Sequence, residues 1–173
     1  LLSLSSKEAM PPALHFRLAR PEDMGRLQSI RRAAFAPVFA SFRAMLGDEL
    51  YDLAQRRDDE AHDGILTSML AENSIWELYL AELGGEIVGF VGVRIDAVTL
   101  VGEVGLNALD PAHAGAGIGT AMYEFAVVRL KQAGMKVATV GTGGDPSHAP
   151  ARRAYEKAGF NAQIPSLWMY RKL

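Results

Sequence analysis

The sequence contains no cysteine, which removes disulfides, thiolate metal sites and cysteine nucleophiles from consideration. It has no apolar run near the ~18 residues that a membrane-spanning helix needs. An excess of one charge is missing too: 18 basic against 20 acidic side chains leave a formal net charge of −2. A basic surface for non-specific nucleic-acid binding is therefore not expected. Aromatic residues are scarce at 8%, charged residues make up 22% and hydrophobic residues 49%, the ordinary balance of a globular domain. Among the histidines, at 15, 62, 113 and 148, no two stand three or four apart, so no metal site is read. These absences suit a cytoplasmic protein that engages neither membrane nor nucleic acid.

A length of 173 residues fits one domain able to bury its own core. The opening LLSLSSKEAMPPAL is interrupted by Lys7 and Glu8 and lacks a basic leader. It reads as a flexible tail over residues 1–14, not a signal peptide, with Met10 a candidate start. A single domain is expected over 15–173. His15 to Leu18 reads as a strand, and Pro21-Glu22-Asp23 opens a helix, since proline fits the first turn and carboxylates suit its positive end. Leu27, Ile30, Arg31, Ala34 and Val38 keep helical spacing. Residues 40–72 read mainly as helix, with RRDDEAHD as a solvated face or turn.

The period then changes. In IWELYLAELGGEIVGFVGVRID two β-rich runs flank Gly84-Gly85, a hairpin signal. A third strand is expected from Thr99 to Leu109, before Asp110-Pro111. A helix carrying Met122, Phe125, Ala126, Leu130 and Ala133 on one stripe ends at Gly134. Lys136 to Gly141 reads as a strand, Ala151 to Ala158 as a short helix, and LWMYRK as a last strand. The order β-α-α-β-β-β-α-β-α-β gives an α/β fold: a mixed, mostly antiparallel sheet flanked by helices, with one β-α-β unit.

Between third strand and helix lies HAGAGIGTAMYEFA, with Gly115, Gly117 and Gly119 at alternate positions. The first N–H groups of a helix lack internal partners and attract anions, and glycine lets a ligand come close to the backbone. Two phosphate-loop patterns fail. The P-loop needs a lysine where the sequence has Gly119-Thr120, and GxGxxG would need glycine at residue 120.

The segment NALDPAHAGAGIGTAMYEFA resembles the acetyl-coenzyme A signature of the GCN5-related N-acetyltransferases (GNAT), [QR]-x-x-G-x-[GA] after a strand. Leu109-Asp110-Pro111 stands for the usual triplet, and Gly117 and Gly119 for the glycines. Ala114 departs from the Gln/Arg position. HAPARRAYEKAGF resembles the family's second motif, N-x-x-A-x-x-[LF]-Y-E-K-x-G-F: Ala151, Tyr155, Glu156, Lys157, Gly159 and Phe160 match, and His148 takes the asparagine place. Both motifs and the element order agree with the GNAT fold from about Phe16 onward.

The resemblance implies transfer of an acetyl group from acetyl-CoA, as co-substrate, to a primary amine of a small molecule or peptide, in a ternary complex. It makes Tyr155 the acid toward the leaving sulfur and Glu103 the base that draws the amine proton through water. Backbone groups of Asn107, Ala108 and Leu109 would pair with pantetheine, and the amides of Ala114, Gly115, Ala116, Gly117, Ile118, Gly119 and Thr120 would bind pyrophosphate. His148 would contact the cofactor, and an imidazole there also suits base chemistry at neutral pH. Arg152 and Arg153 would approach the 3′-phosphate. The acceptor side would use Phe35, Phe39 and Phe42, with Trp168 and Tyr170 from the last strand. A homodimer is common in the family. The alternative is a non-catalytic acyl-CoA-binding or regulatory module on the same fold.

Overall fold

The sheet grows from the Gly84-Gly85 turn, where both glycines have positive φ, 60° and 86°, as a tight hairpin of strands with a right-handed twist requires. The computed structural model describes residues 13–173, so the tail expected over 1–14 lies, but for its last two positions, outside the described residues. Strand β1 (Leu14–Leu18) precedes the long helix α1 (Met24–Leu46), followed by three short helices, α2 (Asp48–Ala54), α3 (Arg56–Ala61) and α4 (Asp63–Met69). Strands β2 (Trp76–Leu83), β3 (Glu86–Arg94) and β4 (Val101–Leu109) come next. Helix α5 (Ile118–Gln132), strand β5 (Val137–Val140) and helix α6 (Ala149–Lys157) complete the elements. The five strands lie in the order β1-β2-β3-β4-β5. Neighbours pair antiparallel except β4 with β5, which are parallel around α5.

Each face of the sheet carries a core. On one, Met122, Ala126 and Leu130 of α5 pack with Val91, Val93 and Val104. On the other, Leu27 and Ile30 of α1 and Leu66 and Met69 of α4 pack with Leu78, Leu80 and Phe90. Arg31 falls on the buried stripe of α1 and is 1% exposed. Its guanidinium donates to Gln28 Oε1 (2.8 Å) and His62 Nδ1 (3.2 Å), and it pairs with Asp63. A buried cation is tolerable because it is hydrogen-bonded.

One expectation holds in part and another fails. The stretch RRDDEAHD is mostly solvated, yet it forms α3 and buries Asp59. There Asp59 accepts from the Tyr51 hydroxyl at 2.6 Å and from Gln55 at 2.9 Å, so the charge run supplies the polar pin holding α2 to α3. The helix over 40–72 is accordingly broken at Gly47, whose φ is 76°, and again at Gln55 and His62. LWMYRK forms no strand. The chain beyond Phe160 is exposed throughout, held by Gln163 Nε2 donating to Glu156 Oε1 (3.5 Å) and, near its end, by Tyr170 Oη to Gln55 Oε1 (3.0 Å) and Lys172 to Glu49. No helix among the described residues is long and apolar enough to cross a membrane.

Two glycines give opposite expectations. A Cβ at Gly105 would overlap the rigid Trp76 ring, whereas one at Gly25 would meet nothing within 4 Å. Gly105→Ala should cost about 1–3 kcal/mol through overpacking, and Gly25→Ala, in α1, should gain about 0.4–1 kcal/mol. Urea midpoints at unchanged m-value will read both.

Candidate active site

Parallel pairing of β4 with β5 runs from Val101↔Val137 to Val104↔Val140 and stops, since β5 gives way to GTGGDPS, a run of turn-forming residues. β4 continues to Leu109 paired with β3 only. The β3 register also slips, Val91 pairing with Asn107 and Val93 with Val104, so that Gly105 and Leu106 together oppose Gly92. Such a bulge bends a strand and re-aims its side chains. Gly105 and Leu106 face the α1/α4 side against Trp76, while Asn107 reaches Tyr123 of α5 and Tyr155 of α6. Past Val104 the strands part, and a cavity of about 930 Å³ opens, lined by β4 from Glu103 to Leu109, the glycine loop, α6 and the loop before it.

At the mouth of the wedge, Gly115 and Gly117 have φ of 82° and 79°, and a Cβ at either would meet nothing within 4 Å. Conformation, not crowding, demands glycine there. Gly117 is the N-cap of α5 and no side chain caps that end, while Ala114 to Gly117 are exposed. The first amides of a well-buried helix are thus open to an anion. Ahead of the loop, Asp110 accepts from the Ala112 amide (2.9 Å) and from Arg26 (2.7 Å). These hold its carboxyl below the usual carboxylate range, the amide bond being the larger influence.

Inside, Asn107 joins two tyrosines. Its Nδ2 donates to Tyr155 Oη (2.9 Å) and to the Gly105 carbonyl (2.8 Å), and its Oδ1 accepts from Tyr123 Oη (2.8 Å). The rings of Tyr123 and Tyr155 lie 4.2 Å apart, and both residues are buried. Burial pushes the Tyr155 phenol above its ordinary value, offset in part by Asn107 and Tyr123, so it stays protonated at neutral pH. With Nδ2 donating to its oxygen, the Tyr155 proton is left for another partner; Asn107 Oδ1 is a longer 3.3 Å away. Sequence reasoning missed Tyr123, whose signal was a polar-tipped aromatic one turn into the helix that the glycine loop opens.

Glu103 lines the same cavity, next to Arg94. Both guanidinium contacts, 3.0 and 2.5 Å, fall on Oε2, leaving Oε1 without a partner among the described residues. Across the cavity, His148 sets Nδ1 on Asp145 Oδ1. Asp145 also accepts from the Ser147 amide (3.0 Å), the Ser147 hydroxyl and Ser41 Oγ of α1 (3.2 Å). Burial pushes the Asp145 carboxyl up, but the bonds from Ser147 and His148 outweigh it and hold it below its ordinary value. Arg152 is turned back onto the carbonyls of Gly143 (2.5 Å) and Asp145 (2.8 Å). One nitrogen of the guanidinium expected to approach a 3′-phosphate thus holds the loop, while Arg153 lines the cavity.

The α1 wall brings Phe35 and Val38 to the cavity, with His62 beside them. Phe35, tilted, and Phe39, edge-on, pack against the His62 ring at 4.3 and 5.6 Å. Burial, then the neighbouring Arg31, pushes the His62 imidazole below its ordinary value. Phe42 lies 6.1 Å from the His148 ring. Trp168 is 85% exposed and Tyr170 is bonded to Gln55; neither lines the cavity, because the strand meant to carry them does not form.

The family model described as Acetyltransferase (GNAT) family matches residues 39–160. Over 97 residues the chain is 33% identical to a mycothiol acetyltransferase of Sanguibacter keddieii, covering 53% of this chain and 30% of that protein. A Streptomyces bingchenggensis mycothiol acetyltransferase gives 33% over 93 residues, 54% and 29% of the two chains. The matches thus span under a third of these relatives' length. Among solved structures, the PaiA N-acetyltransferase of Thermoplasma acidophilum in complex with coenzyme A superposes with TM-score 0.67 at 17% identity, over 89% of this chain and 93% of that one. A GNAT family acetyltransferase of Brucella melitensis in complex with acetyl-CoA gives 0.60 at 21%, over 87% and 84%. The fold is that of these proteins.

Tyr123→Phe removes the donor to Asn107 Oδ1 and leaves a half-satisfied amide in the core. A loss of about 0.5–1.5 kcal/mol in unfolding free energy is expected, read by chemical denaturation.

Proposed function

The chain belongs to the acetyltransferase (GNAT) family, and we propose that it transfers an acetyl group from acetyl-CoA to a primary amine of a small molecule or peptide. The observation that carries this reading is the parting of β4 from β5 beside an uncapped α5, with Tyr155 inside the wedge. The pantetheine arm would run along the unpaired edge of β4 at Asn107, Ala108 and Leu109, adding main-chain bonds as an extra strand does. Pyrophosphate would sit on the amides from Ala114 to Thr120, and Arg153, which lines the cavity, would meet the 3′-phosphate.

The two substrates would meet directly, amine nitrogen attacking thioester carbon, with the C–S bond breaking as the tetrahedral adduct collapses. Tyr155 would hand its proton to the departing sulfur; the Asn107 amide, already donating to the phenol oxygen, would stabilise the phenolate left behind. Glu103 Oε1 would face the ammonium and draw its proton through water, with Arg94 fixing the other oxygen. The mycothiol acetyltransferase likeness supports acetyl transfer without extending to the acceptor, because so little of those proteins is matched.

Calorimetry with coenzyme A should show binding at micromolar concentration or tighter, and a thiol-release assay over a panel of primary amines should show turnover. Binding with silence across the panel would instead make the chain an acyl-CoA-binding module. Tyr155→Phe should lower kcat about 10²-fold or more, the scale of a general acid, with coenzyme A affinity within about threefold; undiminished kcat would remove Tyr155 from the chemistry.

A further inference from the structure

Conversion of an ammonium to an amide takes two protons from one nitrogen. One leaves before attack and the other from the tetrahedral adduct. One is matched by the proton that the thiolate gains; the other must leave the site. Glu103 is a single carboxylate already tied to Arg94 through Oε2, so a second acceptor in the cavity has a defined task.

We propose that His148 is that second proton acceptor and that Asp145 is its positioning residue, a proposal that rests on the acetyl-transfer reading above. The imidazole lies in the cavity wall with Nδ1 on Asp145 Oδ1. A carboxylate with no proton to give accepts from Nδ1–H, which fixes the tautomer and leaves the Nε2 lone pair free. Nε2 has no hydrogen-bond partner among the described residues, and no buried side-chain nitrogen or oxygen there lacks one, so Nε2 is open and not sealed in protein. Asp145, 7% exposed at its side chain, is held in turn by Ser147 and by Ser41 of α1. Arg152 ties down the loop carbonyls on either side. Gly143 completes the fit: a Cβ there would overlap both His148 Nδ1 and Asp145 Oδ1. The Ser147 hydroxyl is spent on Asp145, so the group is an acid–histidine dyad and not a serine nucleophile with its base.

The step balances simply. The nitrogen gives a proton to His148 Nε2, directly or through one water, and the imidazolium, stabilised by Asp145, releases it to solvent. The other proton, drawn from the ammonium by Glu103 through water before attack, is passed on to replace the one that Tyr155 gives to sulfur. His148 thus takes only the proton of the adduct. Around the imidazole the charged neighbours are Asp145 on its own loop and Arg152 of α6, with Arg153 and Lys157 of α6 and Glu103 of β4 on the same cavity; α1 faces it with the uncharged Ser41 and Phe42.

The test uses the full chain with an amine found active in the panel. His148→Gln should lower kcat at pH 7 by about 30-fold or more, within the range of a general base, with coenzyme A affinity by calorimetry within threefold. The deficit should shrink toward pH 9, where solvent hydroxide can take the proton of the adduct in place of the imidazole. Asp145→Asn should lower kcat less, about tenfold, and shift the acidic limb of the pH profile while coenzyme A affinity holds. A His148→Gln enzyme with wild-type kcat, with a deficit independent of pH, or with a loss matched by weaker coenzyme A binding would overturn the proposal. If the wild-type chain binds coenzyme A but acetylates nothing, the acetyl-transfer reading fails first, and the dyad's proton-accepting role fails with it.

Discussion

Everything at this site depends on β4 losing its neighbour halfway along. Main-chain N–H and C=O groups inside a fold must be paired or open to a ligand, and β5 ends while five residues of β4 remain. The bulge at Gly105 and Leu106 turns that deficit into geometry, because it lets Glu103 and Gly105 face one helical layer while Asn107 faces the other. A regular strand would have placed Glu103, Gly105 and Asn107 on one side. Glycine at 105 and at 92 is the condition for this arrangement: Trp76 and Met69 occupy the space in which side chains would stand.

Asn107 is the point where strand geometry becomes chemistry. Its one amide makes a bond to the strand itself and satisfies both tyrosines, linking β4, α5 and α6 through a single buried group. Burial by itself pushes the Tyr155 phenol up, which keeps the proton on it, and the Asn107 donor favours the phenolate. Opposed influences of this kind suit a group that must hold a proton until the sulfur leaves and then release it.

Most of the frame was legible from local signals. The Gly84-Gly85 hairpin, the stripe of α5, its end at Gly134 and the helix beginning near Ala151 follow from backbone freedom and side-chain period, and each element stands within a few residues of its expected place. The site was legible in part: the glycine loop, Tyr155, Glu103 and His148 all border one cavity. The rest depended on contacts between distant segments. Asp59 reads as surface charge until Tyr51 is seen beside it. Tyr123 stands outside the apolar stripe of its helix and acquires a role only once Asn107 is placed beside it. LWMYRK has strand composition, yet composition cannot supply a partner edge, and here Leu167, Trp168 and Met169 lie in solvent. Arg152 reads as a free cation, whereas its nearest oxygens belong to the loop.

The loop after β5 shows why one departure from a family pattern can carry another with it. An asparagine at residue 148 would orient itself through either end of its amide, whereas an imidazole needs a partner for one nitrogen before the other has a defined role. That partner is three residues earlier. Asp145 caps the short turn Pro146–His148 by accepting from the Ser147 amide, and the same turn carries His148 back over the carboxylate. The segment GTGGDPSH would be among the most mobile in the chain if its glycines stood alone. Ser41 from α1 and Arg152 from α6 close on it from two sides, so the entropy of ordering the loop is offset by bonds outside the loop itself. A histidine held in this way is placed by the fold before any substrate arrives, which is the condition under which proton transfer contributes most to rate.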